Sequence, residues 1–203
     1  MNVYAETNFV LEMALRQEQH RSCTAIAGLC KNRKIRLVIP AYSLAEPYET
    51  LIRRHRNRKK LKNILDTELI QLARTDSYTG EIIEIQSLMN LLLRSMEDEM
   101  RRLEDVRSNL INVAEIVPLN SKILEYSAEY QKVKALSPQD AIVFASVLEH
   151  LKQTKPKTAC FLNKNSKDFD DPDISGILEH YKCKLLSRFD HGYQFIIDKI
   201  SLT

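Results

Sequence analysis

Asn2-Val3-Tyr4-Ala5-Glu6-Thr7-Asn8-Phe9-Val10-Leu11 opens the chain with an apolar run, a polar turn and a second apolar run. Asn2 to Glu6 has the length and residues of a short strand that ends in a polar turn. Phe9, Leu11, Met13 and Ala14 then begin a helix pattern that reaches about Leu29, turning polar from Arg16 to Arg21. A strand leading straight into a helix is the first half of a β-α-β unit, and the alternation recurs along the chain. Ile35 to Ile39 is a second strand stopped by Pro40, and a helix starts again at Tyr42 with Ser43 as its cap. That helix has Pro47 in its first turn and carries Glu46. Glu115-Ile116-Val117-Pro118-Leu119 reads as a third strand, followed by an amphipathic helix from Ser121 to Val133. Thr158 to Leu162 and Lys182 to Ser187 are the fourth and fifth strands. Strands separated by helices predict a mostly parallel sheet covered on both faces, a three-layer α/β/α fold.

Between the second and third strands the pattern changes. Leu61, Ile64, Leu65, Leu69 and Leu72 form one apolar stripe, which ends near Ser77 to Gly80. Ile82, Ile85, Met89, Leu92, Met96, Met100, Leu103, Val106 and Leu110 form another, without Gly or Pro, that predicts a helix of about 45 Å. This segment, about 60–112, reads as a long helical insertion in a single domain spanning 1–203. Its long helix packs on the domain, or serves as an arm for a second copy or another partner.

Composition narrows the function classes. The 203 residues are 44% hydrophobic and 28% charged, ordinary globular values, and the scarcity of Gly (4) with no Trp argues against an all-β fold. Cys23, Cys30, Cys160 and Cys183 are scattered without a Cys-x-x-Cys pair, which argues against zinc and for reduced, buried thiols. The amino terminus has no basic segment followed by a long apolar run, so neither signal peptide nor membrane span is expected and the compartment read is the cytosol. His20, His55, His150, His180 and His191 sit on separate elements, and no Gly-rich phosphate loop is present. Acyl-transfer, ATPase and dinucleotide chemistries lose their support.

What remains is acidic. In an open α/β sheet, ligands collect at the carboxyl ends of strands and the amino ends of the following helices. Glu6 ends the first strand, and Glu46 lies in the first turn of the helix after the second. Ser137-Pro138-Gln139-Asp140 opens a helix that is apolar on nearly every side to about Leu151. Asn163-Lys164-Asn165-Ser166-Lys167-Asp168-Phe169 follows the fourth strand. Any one of these acids could simply favour a helix dipole or end a strand in solvent. Converging carboxylates bind hard divalent cations, and a bound cation can activate water against a phosphodiester.

Four stretches, taken in order, resemble the PIN-domain family of metal-dependent nucleases, which includes bacterial toxin ribonucleases. They are Val3 to Leu11, Ile39-Pro40 leading to Glu46, Leu136 to Ile142, and Phe161 to Phe169. The resemblance covers roughly 1–55 and 113–190 of a chain longer than the compact toxin-type members. It implies an endoribonuclease dependent on Mg²⁺ or Mn²⁺, hydrolysing RNA with a metal-activated water. Glu6, Glu46, Asp140 and Asp168 would be the metal-holding and catalytic acids, with Thr7 and Asn8 tying down the turn behind Glu6 and Asn165 beside them. It also raises the question of an antitoxin-like inhibitor. The family usually has Asp where Glu6 stands, and often Asp where Asn165 stands. Fewer carboxylates lower Mg²⁺ affinity, so a PIN-fold module that binds RNA or a protein without cutting is the alternative.

The net charge is only +3, but its distribution is uneven. Arg53, Arg54, Arg56, Arg58 and Lys59 lie in the strongest basic block, directly after the segment bearing Glu46. Beside an acidic metal site such a block suits the RNA backbone. The competing reading is a solvated helix face that balances the acids of the long arm.

Overall fold

The computed structural model describes residues 1–75, 78–164, 169 and 171–201. Five parallel strands, β1 (Asn2–Ala5), β2 (Arg36–Pro40), β3 (Glu115–Val117), β4 (Ala159–Leu162) and β5 (Cys183–Leu186), form one sheet in the order β3-β2-β1-β4-β5. β1 lies at the centre, with Val3 opposite Leu37 on one side and Cys160 on the other.

Alternation along the strands builds two cores. Val3, Ala5, Leu37, Ile39, Cys160 and Leu162 enter one, with α1 (Thr7–Leu15), α2 (His20–Lys31), the first part of α3 (Ala41–Leu72), the end of α4 (Thr79–Val113) and α8 (Phe189–Ser201). Tyr4, Val38, Ala159 and Phe161 enter the other, beneath α5 (Ser121–Lys134), α6 (Pro138–Thr154) and α7 (Pro172–His180). The period-2 geometry of a strand forces this division, and both faces are apolar because both are covered. The expected α/β/α sandwich is the fold.

Several local expectations are corrected. The helix expected from Phe9 to Leu29 is two, α1 and α2. Arg16 stands in the left-handed region at φ 53° and donates its N–H to Glu12 O, while Arg102 Nε donates to Ala14 O at 2.8 Å. Those bonds satisfy carbonyls that an uninterrupted helix would have used. The next helix begins at Ala41, not Tyr42. Ser43 caps nothing: it is buried inside α3, its hydroxyl without a hydrogen-bond partner among the described residues. Pro47 and Glu46 therefore lie beyond the first turn. The helices α7 and α8 were not among the expected elements, although Ile174 and Leu178, and Phe189 and Ile196, carry their buried faces.

The basic block belongs to α3 itself, which runs 32 residues, while α4 runs 35. At the ordinary helical rise these are rods of about 48 and 52 Å. Arg58 with Glu99 and Arg107 over the Tyr48 ring bring them together as an antiparallel hairpin. Leu103 and Leu110 of α4 are fully buried in the domain core, whereas Leu61, Ile64, Ile70, Ile83, Leu88 and Leu91 stay exposed toward the turn. Among the described residues, no helix is long and apolar enough to cross a membrane. All four cysteines are free thiols and buried.

Arg58 grips Glu99 with both nitrogens, at 2.9 and 3.0 Å, and Glu99 is only 8% exposed. Removing one partner of such a pair strands a charge in a poorly solvated place. Arg58→Ala is expected to cost about 2 kcal/mol, discounted for the partial exposure of the arginine. Urea unfolding would show it; an unchanged midpoint would mean the hairpin holds without this pair.

Candidate active site at the carboxyl edge of the sheet

The polypeptide leaves β1 at Ala5, and Glu6 is the residue that caps α1. Its carboxylate folds back onto its own helix, accepting Asn8 N–H on Oε2 at 2.7 Å. Oε1 accepts the Lys164 N–H, from the turn after β4, at 3.2 Å. Glu6 is therefore a buried helix cap rather than a solvated strand end.

Glu46 reaches the same place from α3. Its Oε2 accepts the Thr7 hydroxyl at 2.5 Å. Thr7 thus steadies Glu46, and the bond behind Glu6 comes from Asn8. Asp140 comes from α6, which has Ser137 at the cap and Pro138 at its first position. Asp140 N–H donates to Ser137 Oγ at 3.2 Å, and the Ser137 hydroxyl donates back to Asp140 Oδ2 at 2.5 Å. A cavity of about 310 Å³ is lined by Glu6, Thr7, Asn8, Glu46, Thr50, Ser137 and Asp140, with Leu11 and Val143 as apolar wall. Asn165 and Asp168 lie outside the described residues, while Phe169 is buried edge-on against Phe144 and Phe161.

Asp140 is within electrostatic reach of both glutamates. Burial pushes the Glu6 carboxyl up from 4.5 to about 7, against the pull of the Asn8 and Lys164 bonds, and the Asp140 charge adds to the rise. Burial raises Glu46 as well, the Thr7 bond opposes it, and Asp140 again raises it. Arg53 pulls Glu46 back down, which places the start of the basic block within electrostatic reach of the cavity. Arg53, Arg54, Arg56 and Lys59 are exposed on α3; Arg58 turns to Glu99.

An all-oxygen donor set of this kind suits a hard divalent cation. Among the described residues no three His, Cys, Asp or Glu side chains form a ready chelate. Mg²⁺ keeps several waters and takes only one or two carboxylates directly, so the donor set and the cavity fit such an ion. Glu6, Glu46 and Asp140 would hold it, directly or through water.

Two residues at this edge carry a role the sequence reading did not assign. Glu12, in the second turn of α1, is fully buried, and Lys164 Nζ donates to its Oε1 at 2.5 Å. Gln19 N–H satisfies its Oε2 at 2.8 Å. Lys164 therefore ties the turn after β4 to α1 twice, through its amide at Glu6 and its ammonium at Glu12. The available signal was a lone acid within the apolar run Phe9 to Ala14.

An all-parallel α/β sandwich with acids at its carboxyl edge is the frame of the site, and sequence comparison places the chain in a family. A family model described as PIN domain matches residues 3–169, and the chain belongs to the PIN-domain family. No curated protein matches it. Among solved structures it is similar to a chain in the crystal structure of VapBC2 from Rickettsia felis bound to a DNA fragment from their promoter. That chain is 12% identical, with 92% of this chain and 98% of that one covered and a TM-score of 0.46.

Two outcomes follow from this geometry. Because the folded Glu6 carboxyl titrates near 7 and the unfolded one near 4.5, the folded state holds the extra proton between them. The contribution of this group is full below about pH 4.5 and is lost as pH rises through 7. Wild-type stability, measured against Glu6→Gln, should fall across that window by on the order of 3 kcal/mol. A flat difference curve would show that Glu6 is not held neutral. Separately, Lys164→Met leaves the Glu12 charge buried and should cost about 3 kcal/mol. Adding Glu12→Gln should restore most of it, and a double variant no more stable than the single would deny the coupling.

Proposed function

We propose that this chain is an endoribonuclease dependent on Mg²⁺ or Mn²⁺, folded as a single domain over 1–203 with the helical arm of about 60–112 as an insertion. The observation that carries the reading is the convergence of Glu6, Glu46 and Asp140, from three separate elements, on one cavity where the Asp140 charge reaches both glutamates. A divalent cation held there would supply an acidified water for in-line attack and offset charge on the phosphodiester. Thr7 keeps the Glu46 carboxylate turned to the cavity, and Ser137 does the same for Asp140. Asp168 is the fourth acid of the reading and Asn165 a neutral oxygen beside it, both carried over from the family pattern. Arg53, Arg54, Arg56 and Lys59 gather the RNA backbone beside the cavity, contributing affinity without reading sequence. Arg58 belongs to the hairpin instead, its charge already paired with Glu99.

One observation favours a second reading. Both Glu6 oxygens are occupied by backbone amides, and its carboxyl is pushed to about 7, so it offers a cation less charge than a free carboxylate. A PIN-fold module that binds RNA or a protein partner without cutting would retain the same cavity. The exposed Leu61, Ile64, Ile83, Leu88 and Leu91 support an arm that engages a partner, a second copy or an antitoxin-like inhibitor. We place the chain in the cytoplasm, where such RNA is found.

Labelled single-stranded RNA incubated with the protein in Mg²⁺, Mn²⁺ or EDTA, beside Asp140→Asn, separates the readings. Cleavage is expected only with metal and should drop to the EDTA background in the variant. Equal products in all lanes would remove the nuclease reading, and a strictly monomeric mass at micromolar concentration would remove the self-association of the arm.

A further inference from the structure

The strands are parallel, so the ends opposite the acidic cavity are their amino ends, about 13 Å away for a four-residue strand. There, where β4 and β5 begin, a second cavity of about 600 Å³ opens between the sheet, α7 and α8. Lys157, Lys182, Lys184 and Lys199 line it, with Phe195 and a single acid, Glu179. Four lysines and one glutamate give this wall a predominantly basic lining.

Three further features distinguish this wall from a scatter of surface lysines. Lys157, Lys182 and Lys184 line this one cavity and have no ion pair among the described residues. Lys184 and Lys199 both stand over the Phe195 ring, at 5.2 and 5.6 Å from its centre, which holds two cations at the same place. Lys182 also occupies the left-handed region, at φ 55°, where glycine would be unstrained. Its backbone bonds, N–H to Glu179 O and O from Ala159 N–H, would form equally well with glycine. The turn does not need the lysine side chain, which leaves it available to the cavity.

We propose that this lysine cavity binds the phosphate backbone of single-stranded RNA, at a site separate from the acidic edge. The choice of RNA as the polyanion rests on the nuclease reading; the anion chemistry does not. The ammonium groups neutralise phosphates without base contacts, so binding is indifferent to sequence and steep in salt. A strand held there is retained by the protein whatever happens at the acids.

The test is fluorescence anisotropy of a labelled single-stranded RNA of about 12 nucleotides, in EDTA, across a salt series. Wild type is compared with Lys182→Gly and with Lys182→Gly/Lys184→Gln, each also melted. Affinity should fall several-fold, and the log–log salt slope should become shallower by about 0.7 for each lysine removed. The melting temperature of Lys182→Gly should hold or rise, since the left-handed residue is relieved. Unchanged affinity and slope would overturn the proposal, as would a wild type that does not bind. An affinity loss that merely tracks a lowered melting temperature would overturn it in favour of a structural role. Inorganic phosphate that displaces the label as well as unlabelled RNA does, at equal phosphate, would make this a free-phosphate site instead. Because EDTA removes cleavage from the readout, an inactive protein that still shows the slope change sinks the nuclease reading and keeps this one.

Discussion

Burying the Glu6 carboxylate is the constraint around which the acidic edge is arranged. A buried carboxyl still needs donors for both oxygens, and Glu6 sits where two backbone N–H groups converge, although burial outweighs them and raises its pKa to about 7. The family's usual aspartate is one methylene shorter. The longer side chain spans from its own helix to the amide of Lys164, and so links β1, α1 and the turn after β4 in one contact. Lys164 then needs an anchor of its own, which Glu12 supplies from inside the first core. Moving any member of this chain moves the others.

The rest of the sandwich serves that arrangement by making three helix starts meet. Parallel strands β1 and β2 deliver α1 and α3 to this edge, and α5 runs back to it so that α6 starts there, so Glu6, Glu46 and Asp140 converge although they are distant in sequence. The central place of β1 matters most, because its neighbours on both sides contribute, β2 through α3 and β4 through Lys164. α6 adds a different kind of rigidity. It is buried from Ala141 to Leu151 apart from Ile142, so Asp140 stands on an element with little freedom to shift.

How much of this the sequence shows depends on the range of the forces involved. Strands, and the opening of α6 at Ser137-Pro138, were legible because alternation and capping are local. The break at Arg16 was not, because Arg102, distant along the chain, supplies the bond that ends α1. The continuity of α3 through its charged stretch was hidden for a like reason: Glu99 from α4 neutralises Arg58. Among the site residues, Glu46 was found from its helix after the second strand and Asp140 from the capping signals that open its helix, yet their mutual influence could only be read in three dimensions. The Lys164–Glu12 pair spans 152 positions and left only an isolated acid in an apolar run as its trace. The lysine cavity joins residues from Lys157 to Lys199, each of them unremarkable alone.

The four buried thiols give the molecule a built-in chemical clock. Burial pushes the Cys183 thiol up to about 12 and raises Cys23 and Cys160 as well, while Cys30 donates to Val113 O at 3.0 Å. Thiolate is the form that alkylating reagents attack, so the native protein withholds its reactive species. Cys160 and Cys183 lie on adjacent strands of the sheet, and Cys23 and Cys30 on a helix that covers it. Alkylation at the first pair therefore times the opening of the sheet itself, and at the second the lifting of one outer layer, with no cysteine having to be introduced.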